Sequence, residues 1–374
     1  MARQNVGNPK FYVDLPSYWM AKGSAVSLGN SGGYSDTSKV FGLNPTDYYL
    51  HTHNLQKYTY AAWDIEVDAQ YRVPSSLNYP DAKYFFGIFG HNFTNCKGYK
   101  ATIGLLNNGD YVDSEDLGLF PEWDEICNFP IFANDTQYSG WSLGQRDDFH
   151  TYDFDTLRFQ IYGNWDATTN VNVAIGSFAF GYAFQMPHSP DLKLTMTREY
   201  DGIQQQSTRG GSTLTQINYS RPPHWVALPA WEFGSSVNST IDEHPQWFGN
   251  YPSRGRRVWD LKFSYVSGDD LFSVNEMYGH RNPTDSSTNS EAGYDSTDFD
   301  GNGDFHYGGR DEWSFMNIVM NHTIAGSLRF IFQPDGNNNS PDQFAICQLD
   351  QDSIKFKQVA HNVYDGSLKI REVW

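Results

Sequence analysis

The sequence predicts a mostly β protein: an antiparallel, jelly-roll-like sandwich followed by a second β-rich domain with one short helix. Three observations support this fold class. Apolar and polar residues alternate in several runs, aromatic residues make up 16% of the chain, and Gly, Asn, Ser, Asp and Thr separate the runs. Alternation of period two places side chains on opposite faces of a strand, and aromatic side chains favour half-buried strand surfaces.

Residues 61–73 show the most regular alternation. Trp63 and Ile65 fall on one face, and Asp64 and Glu66 fall on the other. Thirteen residues of this pattern predict a strand with one face on a core and the other in solvent.

Two further runs extend the sandwich. Residues 84–90 are almost continuously apolar, which predicts a strand buried on both faces. Residues 171–184 place small side chains on one face and aromatic ones on the other, and alternation recurs around Phe159. Together these runs predict a jelly-roll-like sandwich over residues 1–190.

A domain boundary is predicted near residue 190, where Pro187 and Pro190 interrupt the chain, so that residues 191–374 form the second domain. Residues 202–215 are polar on both faces and predict a hairpin that turns at Gly210–Gly211. Such a hairpin has little to bury alone, and we expect it to pair with something.

The rest of this second domain contains further strands and one helix. Residues 258–266 predict a strand with Trp259, Leu261, Phe263 and Tyr265 on one face, and residues 267–310 predict a long loop. Apolar spacing of three and four predicts a helix over residues 311–323. Strands are predicted again around residues 328–332, 344–349, 354–359 and 368–374.

The net charge of −18 disfavours binding to nucleic acids and to anionic membranes. No apolar run approaches the roughly 18 residues of a membrane-spanning helix. The first ten residues lack the apolar core of a signal peptide, so we expect the chain to remain in the cytoplasm where it is made.

Candidate catalytic residues are few. Residues 29–33 match the letters of a nucleophile elbow around Ser31, but loop-forming residues follow where a helix is required. Glu122, Asp124 and Glu125, or Asp153 and Asp155, could form a glycosidase pair, although 44 acidic residues produce such neighbours by chance. We therefore expect no catalytic site, with a hydrolase as the least favoured alternative.

The sequence contains one candidate metal site, a possible calcium loop. Asp298, Asp300, Asn302 and Asp304 have the oxygen-ligand spacing of a calcium loop, but Gly309 stands at the twelfth position, where such a loop carries Glu. The alternatives are a calcium site and a solvated turn.

The histidine and cysteine residues do not complete a metal site either. His51 and His53 alone cannot complete a zinc site. Cys96, Cys127 and Cys347 are an odd, sparse set, which predicts buried free thiols and no cofactor.

Arg254, Arg256 and Arg257 form the only basic cluster of this acidic chain. The cluster is interpreted either as a contact to an acidic neighbouring subunit or as a solvated loop.

A series of C-terminal segments resembles tail-region proteins of tailed bacteriophages. The residues that carry the resemblance are 257–265 (RVWDLKFSY), 330–335 (FIFQPD), 341–346 (PDQFAI), 356–360 (FKQVA) and 367–374 (SLKIREVW). They are similar to the distal-tail class, which includes adaptors of gene-transfer-agent-like tails. Residues 86–92 (FGIFGHN) are similar to a strand-end motif of phage jelly-roll modules.

This resemblance implies a non-enzymatic subunit of the virion tail. Such a protein forms a closed ring with copies of itself, usually six-fold, and joins the tail tube to the hub or tip. A related minor tail protein with another symmetry is also consistent with the resemblance. The alternative function is a tail module that binds a host-surface glycan.

Overall fold

A computed structural model describes most of the predicted strands. The described residues are 6–23, 26–29, 40–44, 51–55, 60–67, 83–91, 100–111, 124–127, 140–146, 154–162, 171–192, 194–200, 203–217, 224–225, 228–229, 255–272, 313–339 and 343–373.

The strands of the first half are β1 (Lys10–Asp14), β2 (Val26–Gly29), β3 (His51–Leu55), β4 (Tyr60–Val67), β5 (Tyr84–His91), β6 (Lys100–Asn107), β7 (Asp110–Tyr111), β8 (Asp124–Cys127), β9 (Gly140–Arg146), β10 (Thr156–Tyr162), β11 (Val171–Ile175) and β12 (Ser177–Gln185). Those of the second half are β13 (Thr195–Glu199), β14 (Ile203–Ser207), β15 (Thr213–Ile217), β16 (His224–Trp225), β17 (Leu228–Pro229), β18 (Arg256–Ser267), β19 (Phe330–Gln333), β20 (Ala345–Leu349), β21 (Phe356–Ala360) and β22 (Val363–Glu372). The described helices are α1 (Leu15–Ala21), α2 (Gly268–Leu271) and a π-helix (Phe315–Asn321).

The predicted fold class is confirmed as mostly β, with antiparallel sheets and few helices. One large sheet has the order β13-β18-β22-β20-β19-β1-β12-β5-β9-β8, with β21 added beside β22. A second sheet has the order β2-β4-β10-β6-β7. The jelly-roll topology stays a prediction.

Aromatic side chains pack the two sheets against each other. The rings of Trp63 and Phe159, from the smaller sheet, have centroids 6.5 Å and 5.8 Å from that of Phe178 in the large sheet. The Phe86 ring lies 6.0 Å from Phe159. All four side chains are almost fully buried, so this contact is the core of a β-sandwich.

Strand β1 lies at the centre of the large sheet and joins the two halves of the chain. Phe11 is paired with Phe184 of β12 on one side and with Phe332 of β19 on the other. The sheet therefore continues across the boundary predicted at residue 190, and the segments 1–190 and 191–374 share one hydrogen-bonded sheet.

The apolar runs of the first half are buried as their patterns predict. In β5 every side chain from Tyr84 to Phe89 that is larger than glycine is fully buried, which confirms the strand buried on both faces. The run 171–184 forms two strands, because it is interrupted at Gly176 and β11 pairs with β3 in a separate sheet.

Two helical segments cover part of the large sheet. The predicted helix at 311–323 is described as the seven-residue π-helix, in which Phe315 packs 5.7 Å from the ring of Phe11. Helix α1 was not predicted. It begins after Asp14, whose carboxylate accepts a hydrogen bond from the backbone N–H of Ser17 at 3.1 Å, and Pro16 occupies its first turn.

The segment 267–310, predicted as a loop, begins with α2 and lies outside the described residues from 273 onward.

Strand β18 departs from its predicted alternation at Tyr265. The register with β22 shifts between Phe263 and Val266, which marks a β-bulge. Tyr265 adopts a positive φ of 63° and is 76% exposed, whereas Val266 is buried in its place. The prediction that Tyr265 shares the buried face of Trp259 is therefore wrong.

Strand β4 departs from its prediction at Asp64, which is buried and not in solvent. Both carboxylate oxygens accept hydrogen bonds of 2.6 Å from Arg158 on the neighbouring strand β10. This bidentate pairing with the guanidinium group compensates the buried negative charge of Asp64.

Candidate assembly interface

Strand β13 ends the large sheet, and its first three residues are exposed on both faces. One edge of β13 pairs with β18, from Thr195 opposite Asp260 to Glu199 opposite Arg256. No further strand of the described part of the chain pairs with its other edge. The backbone of this edge is therefore open to another strand.

The apolar core of the large sheet extends to this edge without being covered there. Met196 is paired with Trp259, which is 3% exposed and belongs to the main core, yet Met196 itself is 50% exposed. Leu194 packs against the same core and is partly buried. A strand added beside β13 would thus extend an existing hydrophobic layer.

The predicted hairpin is present as β14 and β15, residues 203–217, which we call the arm. Ser207 is paired with Thr213, and the turn between them is closed by hydrogen bonds between Thr208 and Ser212. Nearly every described side chain of the arm is exposed, so the prediction of a hairpin with two polar, solvent-exposed faces is confirmed.

Exposed apolar side chains concentrate in this part of the molecule. Among the described residues, the large hydrophobic side chains with high exposure within 191–217 are Leu192 (82%), Met196 (50%), Tyr200 (49%) and Leu214 (60%). Tyr265 is exposed on the strand next to β13. Single exposed apolar residues are ordinary, but several within one short stretch of the chain favour an interaction site.

Hydrogen bonds hold the segment before β13 against β18. The backbone N–H of Asp191 donates to the carbonyl oxygen of Lys262 at 2.7 Å, and Ser264 Oγ donates to Asp191 Oδ2 at 2.7 Å. This anchor holds Asp191 beside the bulged part of β18, and Leu192 follows it three positions before the start of β13.

Among the three arginines predicted as subunit contacts, Arg257 is used inside the subunit. Its Nε and Nη2 atoms donate to the two carboxylate oxygens of Glu372 at 2.9 Å and 2.8 Å, and Nη2 also donates to the Phe344 carbonyl at 2.7 Å. The side chains of Arg257 and Glu372 are only 11% and 2% exposed. Arg257 is therefore unsuited to contacting another subunit.

The other two arginines are described only in part. Arg256 is half-buried in β18, opposite Glu199, and Arg254 lies outside the described residues. What sequence reasoning missed is the edge itself. The outer edge of β13 and the exposed Tyr265 form the site, and the polar hairpin was the signal of it in the sequence.

The carboxylates that the sequence suggests for a hydrolase are described only in part, so neither candidate pair can be measured. Glu122 and Asp153 lie outside the described residues, and Asp124 and Glu125 are described only as backbone positions of β8. Asp155 has a structural role, because it accepts hydrogen bonds from the backbone N–H of Asn108 at 2.9 Å and from Thr156 Oγ1 at 3.0 Å.

The candidate metal and nucleophile residues are described only in part. Asp298, Asp300, Asn302 and Asp304 lie outside the described residues, as does Ser31. His51 and His53 are backbone positions in β3. Within the described ranges no group of three or more His, Cys, Asp or Glu residues is arranged to hold a metal ion.

Of the three cysteines, Cys347 is described with its side chain. It is a free, fully buried thiol in β20, as predicted, and burial raises its pKa well above the ordinary value for cysteine. Cys127 is a backbone position in β8, and Cys96 lies outside the described residues. A buried thiol with a raised pKa is unreactive, so Cys347 serves packing.

No protein-family model matches this chain, and no curated protein matches it significantly. Among the described helices, none has the length and apolar character needed to cross a membrane.

Proposed function

We propose that this chain is a structural component of a bacteriophage virion tail, a ring-forming distal tail or adaptor protein that links the tail tube to the tip or hub. The observation that carries the proposal is the open edge of β13, which the exposed arm follows closely in the chain. These features suit a subunit whose sheet and hairpin are completed by neighbours in an assembly.

The segments that carry the resemblance to distal-tail proteins support the proposal by their positions. They fall on β18, β19, β20, β21 and β22 or directly beside these strands. In the large sheet these strands are neighbours, in the order β18-β22-β20-β19 with β21 beside β22. The resemblance therefore concerns one continuous structural unit, and this unit carries β13 and its open edge.

Immunogold electron microscopy on source particles, with an antibody to this chain, tests the proposal. Label clustered at the far end of the tail is expected. Label over the head would indicate a capsid or decoration protein. Absence of label from all particles, with the chain found only in the soluble lysate, would refute a structural role.

A deletion of residues 202–215 tests the role of the arm in the same particles. We expect tails to fail to assemble, because the deletion removes most of a hairpin whose described side chains contribute little to the core. Normal tails from the deleted chain would contradict the proposal. A glycan array with the purified chain tests the alternative of host-surface binding. A hydrolase function would require a hydrolytic activity that is lost when Glu122 or Asp124 is changed.

A further inference from the structure

The open edge of β13 has the properties of a docking site for one more strand. We propose that this edge binds a strand of the arm from a second copy of the chain, so that the large sheet continues from one subunit into the next. The inference rests on the proposed function, because it names the contact by which a ring-forming subunit would assemble.

The first observation is that the edge is poorly protected against strand addition. Natural edge strands avoid pairing by carrying prolines, bulges or inward-pointing charges. Residues 195–197 of β13 are Thr, Met and Thr, which carry no charge and no proline, and all three are exposed. The charged residues Arg198 and Glu199 come only at the end of the strand. Its beginning is therefore suited to main-chain pairing.

The second observation is the match between the apolar residues of the two surfaces. Met196 is half-exposed next to the buried Trp259, and Leu214 is 60% exposed on β15 of the arm. An arm strand beside β13 would cover Met196 and bring Leu214 to the margin of the core. Both side chains would then lose apolar surface to solvent, which is the main favourable contribution to such a contact.

The third observation concerns the length and stability of the arm. Strands β13, β14 and β15 each have five residues, so an arm strand can pair with β13 along its whole length. A two-stranded hairpin is at best marginally stable in water by itself. Pairing with β13 of another subunit would supply a third strand and a covered face.

The fourth observation is electrostatic. Each chain has a net charge of −18, so two copies repel one another over most of their surfaces. Between residues 203 and 217 the only charged residue is Arg209, which gives the arm a charge of +1. The arm is therefore a segment that can approach an acidic second copy without repulsion, and this complementarity favours the same chain as its partner.

Because the arm and the edge are different surfaces, the contact is heterologous. Heterologous contacts between identical subunits generate closed rings when the rotation closes. The same contact made reciprocally by two subunits would produce a dimer, so the size of the assembly distinguishes the two arrangements.

Disulfide cross-linking between two variants tests the contact directly. Chains with Thr197→Cys are mixed with chains of a different mass tag that carry Thr215→Cys, under mild oxidation. We expect a disulfide that joins the two kinds of chain. Thr197 and Thr215 are the central residues of β13 and β15, so pairing of these strands along their whole length brings the two positions within cross-linking distance. Mixtures of Lys357→Cys with Thr215→Cys, and of the unmodified chain with Thr215→Cys, control for chance collisions and for the three native cysteines. Lys357 is exposed on β21 and lies outside the proposed contact.

A pair of matched substitutions measures the apolar contribution. Leu214→Asp introduces a carboxylate on the arm, and Val359→Asp introduces the same group at an exposed apolar position (41%) on β21. Sedimentation equilibrium of the full chain should show self-association weakened at least about tenfold by Leu214→Asp and unchanged by Val359→Asp. Since both positions are exposed, thermal melting of the two variants should agree, which excludes misfolding as the cause.

The outcomes separate this inference from the proposed function. An assembly that forms without the 197–215 cross-link, or that is equally strong in both aspartate variants, overturns the strand addition and leaves the tail role intact. A chain that remains monomeric at every concentration also overturns it. In both cases the tail role is decided independently by the position of the immunogold label.

Discussion

Replacing Arg257 by methionine should strongly destabilise the fold. Arg257 and Glu372 form a buried ion pair whose side chains are 11% and 2% exposed. Arg257→Met would leave the Glu372 carboxylate buried without its cation and would remove a hydrogen bond to the Phe344 carbonyl. Breaking a buried pair by removal of one partner costs about 3–5 kcal/mol.

The matched control is Arg371→Met on the neighbouring strand β22. Arg371 donates to Glu199 at 2.5 Å, but the two side chains are 32% and 33% exposed, so solvent screens their attraction. Exposed pairs contribute about 0.2–1 kcal/mol, and this partly exposed pair is expected to lie closer to that range than to the value for a buried pair. The two substitutions remove the same charge from adjacent strands, and they differ in burial and in the additional hydrogen bonds that Arg257 makes.

Urea denaturation followed by tryptophan fluorescence measures both variants, at several protein concentrations so that assembly and folding are separated. We expect a loss of unfolding free energy several times larger for Arg257→Met, independent of concentration. Equal losses in the two variants would refute the argument from burial. A loss for Arg257→Met that appears only at concentrations where the chain associates would restore the interpretation of Arg257 as a subunit contact.

Two further substitutions probe the centre of the large sheet. A Cβ atom at Gly181 would lie 1.9 Å from the carbonyl oxygen of Val13, so Gly181→Ala should cost more than about 3 kcal/mol in unfolding free energy, whereas Gly210→Ala, where no atom lies within 4 Å, should have almost no effect. A small effect at Gly181 would mean that β1 and β12 are not in close contact there. Burial raises the pKa of Asp14 from 3.8 to about 6, so the folded protein binds this proton more tightly than the unfolded chain. The associated stability is fully present below pH 3.8 and is lost as the pH rises through about 6, with a difference on the order of 3 kcal/mol. Asp14→Asn should abolish this component, and parallel stability curves for the two proteins between pH 4 and pH 6 would contradict it.

The sequence predicts those elements whose environment is determined by local pattern. The run 84–90 indicates a strand buried on both faces because it is short, continuously apolar and rich in aromatic residues, and β5 is buried in this way. The arm is predicted because a hairpin with two polar faces cannot enter a core. Helix α1 has a recognisable start in Asp14 followed by Pro16, a signal that hydrophobic spacing alone does not contain.

The features that local pattern does not predict share a different cause, which is a partner far along the chain. Asp64 is buried because Arg158 lies opposite it, 94 residues later, and Arg257 is internal because Glu372 lies 115 residues away. Tyr265 points outward because a bulge in the pairing of β18 with β22 changes the alternation. An open sheet edge is likewise a property of the whole topology, so periodicity within one segment cannot predict it.

The central position of β1 has a consequence for how the chain matures. The Tyr12 hydroxyl donates to Gln333 Oε1 at 2.8 Å, a contact between residues 321 positions apart. During translation β1 leaves the ribosome long before its neighbour β19, with which it pairs from Phe11 opposite Phe332. Contacts of such high sequence separation slow folding and prolong the exposure of apolar strands. Nascent chains of this protein are therefore expected to need chaperone protection until β19 has been synthesised, which a ribosome-release experiment with timed proteolysis would reveal.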